Sequence, residues 1–590
     1  MKLFFMKPME VKSVAIFMAI ICLSSFSAFA ADREIKLTGK YLLIPIANHD
    51  AKIRPGKLTV SVDDVLIFSC GAKTAAKEGQ IAWWAHIDLS EYKGKTVKVS
   101  HPNSKHFMSS DEIKNTMPLY QEKGRPQIHF SQMRGWNNDT NGMVYYDGEY
   151  HLMWQSNPMG NNMGNQMWGH AVSKDLVHWQ ELPLALRGFG KGVEKRHASM
   201  ADGACYSGSA FVDHNNTLGK QKGKTKTIVA AFTDTKLGES LAYSTDKGRT
   251  FTLLREHNPV YTHKKIGRDP KIIWHEPTKS WVMVVFAIKE GARNSGMQFL
   301  VSKDLVKWEE TCFVKGFNEC PEFFQLPVDG DKNKMKWVLM GADANYMVGD
   351  FNGREFKSTG KGKMDTIHGC YAGQCFSHAP DGRVIYVGWV RTLKLGKDLP
   401  FNQGFTLPLE LTLRTSQRGQ RLFASPVKDL EVLRDKELSS LKNKTLSGAE
   451  NKVVLSPKQK LVEFNVTIKA DDQAEELIFS FDGVPLRYNF KRGGFIPENG
   501  KPHGRSGFSL DGTPRNFELR VYIDEASVEI FAEEGSAYFI LPRSAETVGE
   551  PVKEISMTVN GGSATIKSMT VHKLKSIWKK SNQKEVDRSE

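Results

Sequence analysis

Three acidic residues stand in short polar motifs that are far apart in the sequence but alike in their setting. Asp139 lies in WNNDTNG, Asp269 in GRDPK and Glu319 in NECPEFF, and a β-rich run follows each motif. Taken singly, Asp139 near Gly142 and Asp269 before Pro270 would each suit an ordinary turn. Their recurrence at the same point of successive repeats favours a functional role.

Carboxyl groups that meet at one site can cleave a glycosidic bond. One carboxylic acid protonates the leaving oxygen, and one carboxylate acts from the far side of the sugar. A separation of about 5 Å gives a covalent intermediate and retention of configuration, whereas a wider separation admits water and gives inversion. The residues alone leave both geometries open.

Neighbouring side chains suggest different roles for Asp139 and Asp269. We expect Asn138 and Asn141 to give Asp139 hydrogen bonds that keep it ionised, as a nucleophile requires. Asp269 follows Arg268, a bidentate donor. We therefore expect Asp269 to stay charged and to hold sugar hydroxyls.

Glu319 has a more apolar sequence environment. Phe323 and Phe324 follow it closely, so we expect a drier setting that raises its pKa, as a general acid needs. Aromatic and polar side chains are expected at the same level of the fold, because they stack on sugar rings and bind hydroxyls. The candidates for this role are Trp136, Gln155, Trp168, Tyr206, Ser207 and Trp389. Ordinary packing is an equal alternative for each tryptophan.

The elements that must position these residues repeat along the middle of the chain. Between about 120 and 415, a polar motif, a β-rich run, a turn and a second β-rich run recur five times. The copies begin at Asn138, Tyr206, Arg268, Glu319 and Gly373, and their spacing is close to one four-stranded propeller blade. The repeats predict an all-β fold with a five-bladed β-propeller, whose inner strands bring the motifs to a central axis.

A second repeat supports the propeller. VSKDLVHW at 172–179 returns as VSKDLVKW at 301–308 and, more loosely, as YSTDKGRTF at 243–251. Each copy follows a predicted hairpin, as the outer strand pair of a blade would. The alternative is a β-sandwich with accidental similarity, against which the near-identical octets argue.

Strand patterns continue on both sides of the propeller, which we place at residues 118–420. Residues 32–117 contain short alternating runs such as KLTVSVDDVLIF and predict a small N-terminal β-sandwich. Residues 425–575, with runs such as NFELRVYIDEASVEIFA and tight Gly-containing turns, predict a second sandwich. The tail, residues 576–590, ends in the polar stretch KKSNQKEVDRSE and is expected to be disordered.

The first 31 residues are typical of a cleaved signal peptide. Early lysines precede an apolar run from Val14 to Leu23, and an AxA site follows at Ala28 to Ala30. A membrane anchor is the alternative, but the run is shorter than the about 20 apolar residues that span a bilayer. We therefore expect a secreted or periplasmic protein with no stable membrane insertion after cleavage.

The net charge and the cysteines indicate which binding partners and disulfide bonds to expect. The net charge is +15 at pH 7, but lysine and arginine are scattered along the chain, so a nucleic acid partner is not expected. No cluster of ligating residues predicts a metal or a cofactor. One of the seven cysteines lies in the predicted signal peptide. The other six are expected to be free buried thiols, although the sequence leaves open a disulfide bond between Cys370 and Cys375. These cysteines are Cys70, Cys205, Cys312, Cys320, Cys370 and Cys375.

Seven motifs in fixed order resemble glycoside hydrolase family 32. They are WNNDTNG, YDGEYHLMWQ, MWGHAVSKDLVHW, YSGSA, RDPK, ECPEFF and GWVR, and YIDEASVEIF at 522–531 is similar to that family's C-terminal sandwich. The resemblance implies a retaining β-fructosidase in which Asp139 attacks the anomeric carbon and Glu319 is the acid/base. Asp269 would hold two fructosyl hydroxyls. The implied fructose subsite contains Asn138, Gln155, Tyr206, Ser207 and Arg268, with no metal or cofactor.

The chain departs from the family pattern at two positions beside the implied subsite. Thr140 replaces the usual proline after the nucleophile, which changes the rigidity of the turn. Met163 replaces a tryptophan and removes an aromatic wall, so substrate specificity is affected more than the chemistry. The N-terminal sandwich resembles an accessory domain of secreted bacterial homologues that use polysaccharides, which favours fructan over sucrose.

Other functions remain open at this point. The chain could bind fructan without cleaving it, which the departures at Thr140 and Met163 motivate. It could be an inverting five-bladed hydrolase of arabinan or xylan, although the ECP and WGHA motifs argue against this. A transferase, in which a sugar intercepts the covalent intermediate, is equally compatible. Linkage preference, exo or endo action and oligomeric state are not predicted.

Overall fold

A computed structural model describes nine stretches of the chain. They are residues 32–115, 118–187, 204–289, 294–364, 369–393, 395–448, 451–496, 508–510 and 514–578. The predicted signal peptide, residues 1–31, lies outside the described residues, as does the end of the predicted tail from residue 579.

The N-terminal part of the chain forms two small antiparallel sheets, ordered β1-β6-β3-β4 and β5-β2-β7. Apolar residues that alternate along these strands, among them Leu42, Ile44, Leu58 and Val97, form one shared core, as expected for a sandwich. The strands are β1 (Asp32–Lys36), β2 (Tyr41–Ala47), β3 (Gly56–Val62), β4 (Val65–Ala72), β5 (Ile81–Asp88), β6 (Thr96–Ser100) and β7 (Met108–Ser110).

The next described residues form five consecutive four-stranded antiparallel units, the blades of a propeller. The first three blades contain β8 (Gly135–Tyr146), β9 (Glu149–Asn157), β10 (Met167–Ser173) and β11 (Trp179–Leu186); β12 (Cys205–Asp213), β13 (Thr227–Asp234), β14 (Gly238–Ser244) and β15 (Thr252–Leu253); and β16 (Ile266–His275), β17 (Ser280–Ile288), β18 (Ser295–Ser302) and β19 (Glu309–Lys315).

The last two blades share one continuous sheet through a single parallel pairing of Val328 with Leu413. The fourth contains β20 (Glu322–Val328), β21 (Asp331–Met340), β22 (Asn345–Phe351) and β23 (Phe356–Lys363). The fifth contains β24 (Cys370–Cys375), β25 (Val384–Val390), β27 (Leu409–Ser416) and β28 (Gly419–Pro426), while the short β26 (Phe401–Asn402) pairs in parallel with β8.

The repeated SKDL motif builds the turn between the third and fourth strands of a blade. In the first blade, Asp175 accepts the backbone N–H groups of Val177 and His178 at 3.0 and 2.8 Å. Asp304 accepts the equivalent N–H groups in the third blade at 2.9 and 2.7 Å. An aspartate that satisfies the backbone two and three residues ahead is a local turn signal, so the sequence repeat corresponds to a repeated structure.

The inner strands pack side by side around the axis. β8 packs against β12, β12 against β16 and β16 against β20, while β24 packs against β8. The N–H of Ala372 donates to the carbonyl of Ala342 at 2.8 Å and joins the fourth blade to the fifth. At the seam between the fifth and first blades, Ser377 bonds Met143 and Tyr145 through the backbone at 3.0 and 2.8 Å. The chain therefore brings the start of every inner strand to one mouth of the ring.

The C-terminal part forms a sandwich of two six-stranded sheets, ordered β29-β40-β31-β36-β37-β38 and β30-β39-β32-β33-β34-β35. The strands are β29 (Arg434–Ser447), β30 (Val453–Leu455), β31 (Val462–Ala470), β32 (Glu476–Phe481), β33 (Val484–Asn489), β34 (Gly494–Ile496), β35 (Phe508–Ser509), β36 (Asn516–Ile523), β37 (Ser527–Ala532), β38 (Ala537–Pro542), β39 (Ile555–Asn560) and β40 (Ser563–Leu574). Phe464, Phe479 and Val521 belong to the core between the sheets.

Short 3₁₀ turns connect several strands in the described ranges. They are Glu78–Gln80, Ser90–Tyr92, Ser104–His106, Glu276–Thr278, Pro380–Gly382, Lys428–Leu433 and Glu533–Gly535. Among the described residues, no helix has the length and hydrophobicity needed to cross a membrane. The six cysteines in the described stretches are all free thiols, and Cys370 and Cys375 do not form the bridge that the sequence left open.

Two predicted boundaries are wrong. The propeller does not end at residue 420, because β28 continues to Pro426 and pairs with β27 along its length. The tail does not become disordered at residue 576, because Ile577 is buried and Trp578 stacks on Tyr120 with ring centres 4.0 Å apart. These apolar side chains of the predicted tail cover the start of the propeller.

A buried histidine joins the propeller to the C-terminal sandwich. His129 Nδ1 lies 2.7 Å from Asp524 and its Nε2 lies 2.6 Å from Glu529, and all three side chains are almost fully buried. Burial alone would lower the pKa of His129, but the two hydrogen-bonded carboxylates outweigh it and raise the pKa to about 9. The imidazolium is therefore the form that the interface favours.

We predict that His129→Gln lowers the free energy of unfolding by about 3 kcal/mol at pH 7, because it leaves two buried carboxylates without their cation. The folded pKa of about 9 exceeds the ordinary value of 6.5. The stabilisation is therefore complete below pH 6.5 and is lost as the pH rises through about 9. Thermal unfolding from pH 6 to 10 measures both effects.

The matched control is His178→Gln, since His178 pairs with Asp175 at the surface. We expect this variant to change stability little. Equal losses for the two variants, or a His129→Gln effect that does not change with pH, would contradict a charged interface histidine.

Candidate active site

Four inner strands are interrupted by a register shift where they reach the axis. The shifts lie between Asn137 and Thr140, Cys205 and Gly208, Arg268 and Lys271, and Tyr371 and Gln374. A bulge inserts a residue into a strand and redirects its side chain, and bulges recur beside active sites. Each shift spans or adjoins a residue of the candidate site.

Asp139 lies in the first of these shifts and is half-buried. Its Oδ1 accepts a hydrogen bond from Asn138 Nδ2 at 3.0 Å, and its Oδ2 accepts one from Ser207 at 2.8 Å. Trp136 Nε1 donates to Asn138 Oδ1 at 3.0 Å, which orients the amide so that its NH₂ faces Asp139. The predicted contact with Asn138 is therefore present, and Ser207 supplies the second donor.

Asn141 does not contact Asp139, contrary to the sequence interpretation. With its amide oriented to suit its neighbours, Asn141 donates to Ser207 Oγ at 3.3 Å and accepts from Gln155 Nε2 at 3.2 Å. Gln155 also donates to the carbonyl of Cys205 at 2.9 Å. Because the strand bulges between them, Asn141 points toward the neighbouring blade and supports the nucleophile through Ser207.

Burial raises the pKa of Asp139 above its ordinary value. The hydrogen bonds from Asn138 and Ser207 act in the opposite direction, and the negative charge of Glu319 raises the pKa further. Asp139 and Glu319 therefore interact electrostatically across one pocket, although 180 residues (319 minus 139) separate them in the sequence.

Asp269 lies deeper than Asp139 and is almost fully buried. Its φ of 68° places it in the left-handed region, which an aspartate adopts at some conformational cost. Its Oδ2 accepts the backbone N–H of Cys320 at 3.1 Å and lies 3.4 Å from Arg268 Nε. Although Arg268 is next to Asp269 in the sequence, its guanidinium forms its hydrogen bonds with Glu319.

The expectation that Asp269 stays charged is wrong at neutral pH. Burial raises the pKa of Asp269 to about 8, and the charges of Glu319 and Asp139 add to this effect while Arg268 opposes it. Three carboxyl groups in one pocket repel one another when ionised, and a proton shared among them relieves that repulsion. The pocket therefore retains a proton at neutral pH.

The setting of Glu319 is polar, so the predicted dry environment is wrong. Its side chain is 28% exposed and is bonded by Arg268 through Nε at 3.1 Å and through Nη2. Tyr371 donates its hydroxyl to the other carboxyl oxygen at 2.7 Å. Phe323 and Phe324 instead pack into hydrophobic cores of the blades, because they point away from the axis once β20 begins.

Two site residues were missed in the sequence analysis. Tyr371 holds Glu319, and burial together with this hydrogen bond raises its pKa, so that the phenol remains a donor. Cys320 places its sulfur 3.7 Å from Asp139 and 3.6 Å from Asp269, and burial keeps it a protonated thiol. The available sequence signal for Tyr371 was its position in HGCYAGQC at 368–375, just before the fifth repeat begins at Gly373.

Trp168 is not a sugar-stacking residue in this conformation. It is fully buried, its ring packs against Phe232, and its Nε1 donates to the carbonyl of Tyr206 at 3.1 Å. A side chain added at Gly142 would meet its ring at 2.8 Å. Trp168 therefore supports the strands that carry Asp139 and Ser207 from below.

The aromatic wall of the pocket is formed by other residues. Trp136 is half-buried, with its ring centre 6.0 Å from that of Trp389 in an edge-to-face contact. Trp389 also meets Tyr371 edge-to-face at 6.3 Å and donates to Gln403 at 3.0 Å. Tyr206 is half-buried on the opposite side of Asp139, next to Ser207. Trp136 bonds Asn138 and Trp389 contacts Tyr371, so both lie beside residues that hold the carboxyl groups. Sugar binding by Trp136, Tyr206 and Trp389 stays a prediction.

Thr140 makes contacts that a proline could not make. Its hydroxyl donates to the carbonyl of Val387 at 3.0 Å, lies 3.3 Å from that of Ala372, and accepts the N–H of Gln374 at 3.1 Å. These partners belong to the fifth blade, so Thr140 fastens the nucleophile strand to the last blade of the ring. Met163 is 56% exposed.

The geometry supplies the parts of a two-carboxylate reaction. Asp139 is held by donors on both oxygens, Glu319 is accessible and positioned by Arg268 and Tyr371, and Asp269 lies between them at the base. In the described part of the chain, no group of three or more ligating side chains is arranged to hold a metal ion. The residues present fit acid, base and nucleophile roles on a sugar.

Two family models match the part of the chain that follows the N-terminal sandwich. Residues 129–426 match the model of the glycosyl hydrolases family 32 N-terminal domain, and residues 420–573 match that of the family 32 C-terminal domain. The N-terminal sandwich lies outside both matches. Asp139, Asp269 and Glu319 all lie within the first.

Relatives and solved structures cover most of the chain. A levanase of Bacillus subtilis is 34% identical over 511 residues, which span 78% of this chain and 72% of that protein. An extracellular exo-inulinase of Aspergillus niger is 26% identical over 78% of this chain and 96% of its own length. The crystal structure of an exo-inulinase from Aspergillus awamori superposes with a TM-score of 0.67 at 24% identity, covering 78% of this chain and all of that one. The structural likeness supports the propeller and the C-terminal sandwich.

We predict that Thr140→Val lowers the free energy of unfolding by about 1–3 kcal/mol, because Gln374 N–H and the facing carbonyls lose a buried partner. Turnover should fall as well, since Asp139 is the preceding residue. Thr140→Ser keeps the hydroxyl and serves as the control. Chemical denaturation and steady-state kinetics check both; equal behaviour of the two variants would contradict a role for the hydroxyl.

We predict that Asp269→Asn stabilises the fold while it lowers kcat strongly. The folded pKa of about 8 exceeds the ordinary 3.8, so this carboxyl makes the folded state less stable as the pH rises from about 4 to 8. The amide escapes this penalty. The gain in melting temperature should therefore be larger at pH 8 than at pH 5. A variant that is destabilised equally at both pH values would contradict the assignment.

Proposed function

The chain belongs to glycoside hydrolase family 32, and from that premise we propose that it is a retaining β-fructosidase that releases fructose from fructans and from shorter β-fructofuranosides. The observation that carries the proposal is the meeting of Asp139 and Glu319 at one mouth of the propeller. Each carboxyl is fixed by its own pair of donors. The match to the levanase and exo-inulinase supports fructan as the substrate class.

In the first step, Asp139 attacks the anomeric carbon of the fructosyl unit. Asn138 and Ser207 hold its two oxygens and limit the rotation of the carboxylate. The bond to the leaving oxygen breaks as Glu319 transfers its proton to that oxygen. A covalent fructosyl-enzyme and a free alcohol result.

In the second step, the carboxylate of Glu319 takes a proton from water, and the water oxygen attacks the anomeric carbon. The ester bond to Asp139 breaks, and fructose leaves with its original configuration after two inversions. Arg268 and Tyr371 keep Glu319 in one place while its charge alternates between the steps.

Asp269 is proposed to hold two hydroxyls of the fructosyl ring. It lies below both reacting carboxyl groups and shares Cys320 with Asp139 as a neighbour. Gln155, Tyr206, Ser207 and Trp389 complete the proposed subsite, with Trp168 behind it.

The relatives also bear on the cellular location of the enzyme. The levanase and the extracellular exo-inulinase support a secreted or periplasmic protein, which agrees with the predicted signal peptide. The N-terminal sandwich, which resembles an accessory domain of secreted homologues that use polysaccharides, favours a polymer over sucrose.

We predict that Asp139→Ala and Glu319→Ala each lower kcat by at least about 10³-fold, while the fold remains intact. The assay measures fructose released from levan, inulin and sucrose. On a fructoside whose leaving group needs no protonation, azide should restore turnover of Glu319→Ala as a fructosyl azide of retained configuration, since azide attacks the intermediate without a general base. Asp350→Ala, which removes an exposed acid, is the control.

Three outcomes would contradict the proposal. Binding of levan without release of fructose by the unaltered protein would indicate a non-catalytic fructan-binding protein. An initially inverted product anomer in NMR spectra would exclude Asp139 as nucleophile. Hydrolysis of arabinan or xylan, with fructans untouched, would assign a different substrate class.

A further inference from the structure

A second pocket lies farther along the same inner strands that carry the site residues. It has a volume of about 550 Å³, within the range of ligand pockets. Its lining includes Val212, Trp274, Gln325 and Ser377, each a few residues after a site residue of its own strand. Five residues separate Asp269 from Trp274, which is roughly 15 Å of strand. The pocket therefore opens at the opposite mouth of the propeller.

A buried ion pair lies at the inner end of this pocket. Lys271 and Glu322 lie 3.0 Å apart, and their side chains are 4% and 0% exposed. Both residues line the second pocket together with Cys375. The lining contains none of Asp139, Asp269 and Glu319, so the pocket is separate from the catalytic one.

Two tryptophans are held rigidly in the wall of this pocket. Trp274 is half-buried, its edge meets the buried Trp281 with centroids 5.1 Å apart, and its Nε1 donates to Glu276 at 2.5 Å. Trp337 is also half-buried and stacks on Phe323 at 4.5 Å. A buried ring on one side and open space on the other leave part of each indole accessible to a ligand.

Polar groups stand between these rings. Gln325 and His214 are exposed on the lining, and Phe324 is half-exposed beside them. Arg383 also lines the pocket, but its guanidinium is bonded to Asp429 at 2.8 Å and to the Tyr150 hydroxyl at 3.2 Å. Accessible aromatic faces with amide and imidazole groups beside them are suited to a polyhydroxylated, uncharged chain.

We propose that this pocket binds a segment of the fructan chain and so holds the polymer on the enzyme. The proposal rests on the proposed function, which supplies the substrate class. The pocket would bind and not cleave, because its carboxylates are engaged: Glu322 pairs with Lys271, and Glu276 with Trp274 and Lys279. Binding there makes the encounter of the chain ends with the catalytic mouth partly intramolecular.

The test compares long and short substrates in the full-length protein. In Trp274→Ala and in Trp274→Ala/Phe324→Ala, the ratio of kcat/KM on levan to kcat/KM on sucrose should fall about tenfold, which is the loss of about 1.4 kcal/mol of polymer binding. Trp308→Ala is the matched control, because Trp308 is a half-buried tryptophan of the same blade whose Nε1 is also bonded. It does not line the pocket.

A binding measurement separates this proposal from the proposed function. In the Asp139→Asn background, retardation in levan-containing native gels should decrease for Trp274→Ala and not for Trp308→Ala. An unchanged ratio and unchanged retardation would overturn the second site even if fructose release is confirmed. Retardation by arabinan or xylan with none by levan would overturn it as well. Absence of hydrolysis with intact, Trp274-dependent retardation would instead overturn the catalytic proposal and leave this site standing.

Discussion

The interaction of Arg268 with Glu319 is the one on which the arrangement of the site depends. The ring of blades brings three carboxyl groups into one partly buried pocket. Two like charges 5 Å apart repel by about 3 kcal/mol at an effective dielectric constant of 20. A guanidinium that bonds Glu319 and lies 3.4 Å from Asp269 offsets much of this repulsion. The proton retained by the pocket offsets a further part.

The site also contains backbone strain, and the surrounding blades hold the strained segments in place. Asp269 and Cys320 both have positive φ, at 68° and 52°, and four inner strands lose their register beside the axis. Such local strain persists only where the surroundings fix the chain. Here the blades supply that support, since Trp168 packs beneath Gly142 and Thr140 fastens its strand to the fifth blade.

The sequence alone predicted the repeating elements and the acidic residues at the start of three of the repeats. Strand alternation and the SKDL turns are local signals, so five blades and three acidic residues could be placed without coordinates. The surroundings of those acids could not be placed, because each bulge moves side chains out of the alternation on which a sequence argument relies. Asn141 thus turns to Ser207, and Phe323 and Phe324 turn into the blades.

Partners that come from another blade were equally hidden. Tyr371 reaches Glu319 from 52 residues away, and Arg268 reaches it from 51 residues away. The residues next to Glu319 in the sequence predict neither contact.

The C-terminal sandwich also acts on the site from a distant part of the sequence. Asp524 accepts the backbone N–H groups of Gln127 and Ile128 at about 3 Å, in the segment that leads into the first inner strand. Because that segment precedes WNNDTNG by only a few residues, the sandwich anchors the start of the nucleophile strand, whereas the site residues named above all come from the propeller.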